Sequence, residues 1–112
     1  MKFEIKDAFI QKSDENMTRK LLAHHGSLML LEIHFHKASD DPGFHSHPHE
    51  QIAYVVRGRI EFIIEGESLG VFNPGDSIIF PPNSVHGAKP LEDDTMILDI
   101  FTPQREDFLV PA

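Results

Sequence analysis

The chain has 112 residues, a formal net charge of −8 with histidine taken as neutral, and no cysteine. This length suits one domain with one core, and the lack of cysteine excludes disulfides, thiolate ligands, iron–sulfur clusters and cysteine nucleophiles. The acidic balance, without a basic stripe, argues against nucleic acids and anionic membranes as partners. No signal-peptide region or membrane-length apolar stretch is visible, so we expect a soluble, cytoplasmic protein.

The first third of the chain gives one clear strand. Residues 3–10 alternate weakly and predict an edge strand. The apolar spacing over residues 14–25 fits a helix ended by Gly26 slightly better than a strand leading into a turn. From Ser27 to Lys37 a strand is predicted, because apolar residues alternate along it. They are Met29, Leu31, Ile33 and Phe35.

The remainder predicts a rapid series of strands separated by turn residues, which is typical of an antiparallel sandwich or barrel. The predicted strands are Gln51–Arg57, Arg59–Glu65, Leu69–Phe72, Ser77–Phe80, Val85–Lys89 and Thr95–Thr102. Several of these strands are apolar on both faces, although packing against the core needs only one. A second subunit usually buries the remaining apolar face, so we expect a homodimer. Thr102 as N-cap and Pro103 at the first helical position predict a short helix that brings Arg105 and Phe108 back over the core.

A cluster of metal-competent side chains precedes the first of these strands, in the segment His45-Ser46-His47-Pro48-His49-Glu50-Gln51. Two histidines at i and i+2 can point the same way from an extended chain, and imidazole suits first-row transition metals. His86 follows a later proline-rich turn. We predict one metal centre built by His45, His47, Gln51 and His86; the alternative is a histidine-rich surface loop that binds metal adventitiously. His34 and His36 have the same spacing but are interpreted as solvated strand positions.

These residues resemble the two motifs of the cupin superfamily. The first is Gly43 followed by His45-x-His47-x3-Gln51-x6-Gly58, and the second is Gly75-x5-Pro81-x-Asn83-x2-His86. Gln51 replaces the common glutamate, and Asn83 replaces a usual glycine, a change that asparagine's tolerance of positive φ permits. The resemblance covers about residues 27–102. It implies an all-β, single-domain jelly-roll β-barrel over residues 1–112, with a metal at the barrel mouth and a strand at residues 17–24 despite the local pattern.

Strand periodicity favours Gln51 over Glu50 as the fourth ligand, because Gln51 shares the parity of His47. A divalent ion held by neutral ligands keeps its full charge, so it should be a stronger Lewis acid but less firmly held than one with glutamate. The ion could be Ni, Zn, Fe, Mn, Co or Cu.

Asp99 lies in the apolar strand Met96-Ile97-Leu98-Asp99-Ile100-Phe101, where a carboxylate is costly unless it is paired, hydrated or functional. The alternative is an aspartate at the barrel rim bonded to the backbone. The ending Asp99-x-Phe101-x-Pro103-x-Arg105-Glu106-Asp107-Phe108, together with His-Pro-His-Glu-Gln, resembles the small pectin-degradation cupins, the KdgF family. That family linearises unsaturated uronates to 4-deoxy-5-keto uronates.

The resemblance implies metal ligation by His45, His47, Gln51 and His86, and catalytic roles for Asp99, Phe101 and Arg105. Asp99 would be the general acid/base, Arg105 would bind the carboxylate of a small anionic sugar, and Phe101 would stack on the sugar. The alternatives are a rim salt bridge for Arg105 and core packing for Phe101. At the level of function, the alternatives are an iron-dependent cupin dioxygenase or other oxidoreductase and a non-catalytic metabolite-binding cupin.

Overall fold

The computed structural model describes residues 1–111, which form β-strands and two short 3-10 turns. The strands are β1 (Phe9–Ser13), β2 (Met17–His25), β3 (Leu28–Phe35), β4 (Glu50–Arg57), β5 (Ile60–Ile64), β6 (Glu67–Phe72), β7 (Ser77–Phe80), β8 (His86–Pro90) and β9 (Thr95–Thr102). The 3-10 turns are Ile5–Asp7 and Glu106–Phe108. No helix in this part of the chain is long and apolar enough to cross a membrane.

The strands build two antiparallel sheets. The larger has the order β1-β2-β3-β9-β4-β7 and the smaller β6-β5-β8. The all-β prediction is therefore confirmed. Over residues 1–111 the strand ladders remain two separate sheets and do not close into a single hydrogen-bonded barrel. The core lies where side chains of both sheets meet, for example Leu31 and Val55 from the larger sheet and Phe62 from the smaller.

Alternation along β4 decides which side chains enter this core. Gln51, Ala53 and Val55 are buried, while Glu50 and Ile52 are exposed, as period-2 geometry requires. The register pairs Gln51 with Phe101 and Ala53 with Asp99 of β9. The parity argument that favoured Gln51 over Glu50 is thus matched by the burial of these two side chains.

Residues 17–25 form a strand, so the local preference for a helix was wrong and the strand implied by the cupin resemblance is correct. β2 pairs with β1 on one side and β3 on the other, and this pairing overrides weak local propensity. The register shifts between Leu21 and Ala23, which places an irregularity at Leu22. That extra residue breaks the alternation and produces the helix-like spacing in the sequence.

The two chain ends differ from the prediction in their boundaries. The N-terminal segment begins with the turn Ile5–Asp7, and its strand starts only at Phe9. The C-terminal helical turn begins at Glu106 with Arg105 as its N-cap, so Thr102 and Pro103 do not cap it as predicted. Phe108 of this turn is nevertheless buried against the core, with its ring 5.9 Å from that of Phe101.

Candidate metal centre and adjoining cavity

Three histidines from two distant segments converge at one end of the core. His45 and His47 come from the loop before β4, and His86 begins β8. One nitrogen of each can be chosen so that all three lie within 4.8 Å of one another. His47 and His86 are buried, whereas His45 is exposed at the mouth. The cluster predicted from the sequence is therefore present as a compact set of imidazoles.

The backbone fixes the loop that bears His45 against β8. The N–H of His45 donates to the carbonyl of His86 at 3.0 Å, and the N–H of His86 donates back at 2.9 Å. The N–H of Ala88 donates to the carbonyl of Pro42 at 2.9 Å. Gly87 permits this close approach, since a Cβ there would meet the carbonyl oxygen of Pro42 at 2.5 Å.

A second backbone contact positions His47. The N–H of Asn83 donates to the carbonyl of His47 at 2.8 Å, which ties the first motif to the turn before His86. Asn83 has a φ of 65°, in the left-handed region that asparagine tolerates better than most residues. The replacement of the usual glycine by asparagine is therefore compatible with this turn, as predicted.

The ring nitrogens have the orientation that a metal site needs. Nδ1 of His86 donates to the carbonyl of Ser84 at 3.0 Å, and Nδ1 of His45 donates to the carbonyl of Gly43 at 2.9 Å. Each bond fixes the tautomer and leaves the Nε2 lone pair available. Nε2 of His86 and Nδ1 of His47 are buried without a hydrogen-bond partner among residues 1–111. The lone pair on Nε2 of His86, which no protein group uses, fits a divalent transition metal as its partner.

Gln51 lies between the histidines and Asp99. Its Oε1 is 3.1 Å from Nε2 of His47, and its Nε2 donates to Oδ1 of Asp99 at 2.9 Å. Because a carboxylate can only accept, the amide nitrogen must face Asp99 and the amide oxygen must face the histidines. The oxygen is thus available as the fourth ligand.

Burial sets the charge state of the cluster. Desolvation lowers the pKa of His86 to about 4, and the bond to Ser84 opposes this only in part. The pKa of His47 is also lowered, first by burial and then by the positive charge of Arg105. Both rings are therefore neutral at pH 7, which is the form that binds metals.

Asp99 is the buried carboxyl group of the site, with only 8% of its surface exposed. Burial raises its pKa to about 6, while the bond from Gln51 and the charges of Arg19 and Arg105 pull the pKa down. Its side chain is bonded to Gln51 and faces the core beside Leu31 and Ala53. The alternative was an aspartate at the rim bonded to the backbone, whereas the hydrogen bond observed for this carboxyl group comes from the side chain of Gln51.

A cavity of about 450 Å³ adjoins the histidines. Asp99, Phe101 and Arg105 all line it, together with His45, Gln51 and His86. Three of the four predicted metal ligands and all three predicted catalytic residues therefore line one cavity. Acids that are anions at neutral pH could enter it only if cations inside the cavity outweigh the acidic surface.

Arg105 and Phe101 also show the contacts of the alternative, structural roles, which are a salt bridge and core packing. Arg105 pairs with Asp107 through Nη2 at 3.0 Å, and its guanidinium lies 5.4 Å from the ring centre of Phe101. Phe101 is buried, with its ring 5.4 Å from that of His47. Both residues thus contribute to packing and charge pairing while they line the cavity.

Sequence reasoning missed Arg19. Its guanidinium lies 4.2 Å from the ring centre of Phe108, and it lines the same cavity. Its parity with Leu21 on β2 is a signal in the sequence, but the spacing over residues 14–25 also fits a helix, in which this parity predicts nothing. His34 and His36 lie outside the cluster, since His34 bonds to Asp94 at 3.0 Å and His36 to Thr18 at 2.9 Å.

Comparison with known proteins gives consistent results. Residues 31–101 match the family model described as a cupin domain. The chain is 35% identical, over 85% of its length and 86% of the relative's, to the pectin degradation protein KdgF of Dickeya dadantii. It superimposes on the structure of KdgF from Halomonas with a TM-score of 0.84 and 34% identity, covering 96% of each chain.

A second solved structure gives the same fold. An RmlC-like cupin from Shewanella frigidimarina matches with a TM-score of 0.84 and 31% identity, again over 96% of each chain. The fold, the paired histidine motifs and these likenesses agree. The chain therefore belongs to the cupin family and, within it, is a homologue of the pectin degradation protein KdgF.

Proposed function

We propose that this protein is a metal-dependent enzyme that opens the ring of unsaturated uronates of the 4,5-unsaturated galacturonate type and yields linear 4-deoxy-5-keto uronates. The observation that supports this most directly is the placement of Asp99. A buried carboxyl group, bonded to a candidate metal ligand, lines a cavity that also contains a guanidinium group. The likeness to KdgF supplies the pectin context.

His45, His47, His86 and Gln51 would hold one divalent transition metal, the identity of which is open among Ni, Zn, Fe, Mn, Co and Cu. When bound, such an ion supplies Lewis acidity that polarises hydroxyl or ring oxygens. The neutral ligand set leaves the ion's charge undiminished, which favours an anionic substrate.

Asp99 would move the proton. Ring opening breaks the bond between C1 and the ring oxygen, removes a proton from the anomeric hydroxyl, and adds one at C4 as the enol becomes a ketone. The substrate is thus isomerised without an external oxidant or reductant. A carboxyl group with a pKa near 6 is populated in both forms around neutral pH and can both accept and donate.

Arg105 would bind the substrate carboxylate through an N–H edge that Asp107 leaves open, since Asp107 accepts from Nε and Nη2. Phe101 would form an apolar wall beside the sugar ring. These roles place a cation, a proton carrier and a wall within one cavity of about 450 Å³, a volume suited to a small ligand.

The test is turnover of unsaturated galacturonate. Metal-loaded protein should accelerate the loss of the double-bond absorbance over the spontaneous reaction, and Asp99→Asn should lose most of that acceleration. Glu50→Gln, on the exposed face of β4, is the matched control and should retain activity. No acceleration by the wild type would contradict the proposal. Oxygen uptake with Fe(II) and a diketone would favour a dioxygenase, and saturable binding without turnover would favour a metabolite-binding cupin.

We also propose that the protein is a homodimer. A row of apolar side chains crosses the outer face of the larger sheet, because Ile52 pairs with Ile79 on one side and with Ile100 on the other. All three are exposed, Ile79 to 60%. A second copy that packs on this face would remove the apolar row from water.

A further inference from the structure

Arg19 is a half-buried cation without a carboxylate partner. It extends from β2 on the side that bears Leu21, and its Nη1 donates to Oε1 of Gln11 at 2.9 Å. Among residues 1–111 no aspartate or glutamate forms an ion pair with it. A guanidinium removed from water is costly unless an anion compensates it. Asp99 attracts this charge without a direct ion pair, so the guanidinium can still accept an anion at contact distance.

A second guanidinium contacts the same aromatic ring, that of Phe108. The carbon atom at the centre of the Arg19 guanidinium is 4.2 Å from the ring centre of Phe108, and that of Arg105 is 3.9 Å from the same point. The aromatic ring attracts each cation, but the two cations repel one another. Their joint placement on one buried ring favours an anion that can reach both.

Hydrogen-bonding capacity is available on both groups. Asp107 occupies Nε and Nη2 of Arg105, and Gln11 occupies Nη1 of Arg19. In the described part of the chain this leaves Nη1 of Arg105 and Nε and Nη2 of Arg19 to donate to a ligand. Those donors could bind both oxygens of a carboxylate.

The two arginines also lie in the right space. Both line the cavity that contains Asp99 and the candidate ligands His45 and His86. The two lysines along the cavity do not offer the same chemistry. Nζ of Lys12 lies 3.9 Å from Oδ2 of Asp14, and Lys37 is exposed to solvent. Arg19 is thus a half-buried cation with unused donors, and it lines the same cavity as Asp99.

We propose that Arg19, together with Arg105, binds the carboxylate of the substrate and makes the site selective for sugar acids over neutral sugars. This inference rests on the proposed function in so far as the substrate is a sugar acid. The carboxylate is held at the Phe108 end of the cavity, and the ring hydroxyls extend toward the histidines. The competing explanation is structural: Arg19 only stacks on the ring of Phe108 and holds it against β2.

Binding of unreactive ligands tests the inference. Calorimetric titration of the metal-loaded full-length chain uses saturated D-galacturonate, which lacks the double bond, and D-galactose, its neutral counterpart. Arg19→Gln should weaken galacturonate binding about 10- to 100-fold, the amount expected for lost charged hydrogen bonds, and leave galactose binding unchanged. Arg19→Lys keeps the positive charge but lacks the two parallel N–H donors of a guanidinium, so it should give an intermediate affinity for galacturonate. Arg59→Gln is the matched surface control.

The outcomes separate the possibilities. Equal weakening of both sugars, or unchanged galacturonate binding in a folded Arg19→Gln, overturns the inference and leaves Arg19 a stacking residue. A wild type that binds galacturonate no better than galactose also overturns it. If Arg19→Gln does not fold, the test uses Arg19→Lys. A wild-type ratio of galacturonate to galactose affinity in that variant would contradict a two-donor contact between Arg19 and the carboxylate. Arg19-dependent binding without turnover of unsaturated galacturonate would contradict the proposed function and sustain this inference.

Discussion

The amide of Gln51 joins the candidate metal centre to Asp99, because its Nε2 donates to Oδ1 of Asp99 at 2.9 Å while its Oε1 lies 3.1 Å from Nε2 of His47. A glutamate at this position could not make the bond to Asp99 while both groups are ionised. Glutamine at position 51 is therefore matched to the buried aspartate next to it.

The substitution Gln51→Glu tests this relationship. The new carboxylate should hold the metal more tightly, because it neutralises part of the ion's charge. It would also face Asp99 at hydrogen-bond distance, where two buried carboxyl groups cannot both ionise, so a proton would be trapped between them. We expect activity to fall by about 100-fold or more, the scale of a lost general acid/base. Chelator competition measures the metal affinity, and steady-state rates measure the activity.

Glu50→Gln is the control for this experiment, since Glu50 is exposed on the other face of β4. It should change neither metal affinity nor rate. Wild-type activity in Gln51→Glu, with tighter metal binding, would mean that the amide bond to Asp99 has no part in the reaction.

A second prediction concerns Asp99 and stability. Its pKa is about 6 in the folded protein and about 4 when unfolded, so the native state binds more protons between these values. The stability contributed by the protonated form is present below pH 4 and is lost as the pH rises through 6. Above pH 6 the free energy of unfolding is lower by about 2–3 kcal/mol. Asp99→Asn removes this cost and keeps an oxygen that accepts from Gln51.

Metal-free Asp99→Asn should therefore unfold at higher denaturant than the wild type at pH 7–8, while its metal-loaded form loses most activity. Denaturant unfolding of the metal-free protein at several pH values measures the first effect. Asp40→Asn, at an exposed position, should show neither change. A variant less stable than the wild type at pH 8 would show that the carboxylate is better stabilised than its burial implies.

Turn residues between apolar strands were sufficient to predict an antiparallel all-β fold, and the resemblance to the paired cupin motifs predicted the histidine cluster. Alternation along β4 separated Gln51 from Glu50, and the paired motifs brought His86 to the loop that bears His45. Local spacing favoured a helix at β2, because an irregularity at Leu22 breaks the strand alternation there, and only the cupin resemblance predicted the strand. Sequence reasoning also missed Arg19, because the contact of Arg19 with Phe108 joins residues 89 positions apart that no local pattern connects.

A third prediction follows from His86. Burial lowers its pKa to about 4 from its ordinary value near 6.5, so the unfolded chain binds more protons between these values. The stability that comes from keeping this ring neutral is present above pH 6.5 and is lost as the pH falls to 4, by about 3 kcal/mol. This effect opposes that of Asp99, so the two can be separated only with variants.

Metal-free His86→Asn should lose less stability on acidification from pH 6.5 to 4 than the wild type, by about that amount. The same variant should fail to retain stoichiometric metal, which elemental analysis after desalting measures. His25→Asn, at an exposed position, is the control for both measurements. Full metal content in His86→Asn would mean that the ion lies elsewhere.

The last prediction concerns the outer face of the larger sheet. Ile52 is 41% exposed and lies between Ile79 and Ile100 in one row across three strands. If a second copy covers this row, Ile52→Asp places an unpaired charge in an apolar interface and should convert the dimer to a monomer. Light scattering after size-exclusion chromatography measures the mass. Val71→Asp, at an exposed position on β6, should leave the dimer intact, because it lies on the other sheet. A wild type that elutes as a monomer would contradict the proposed dimer, and a dimer that survives Ile52→Asp would place the interface on another surface.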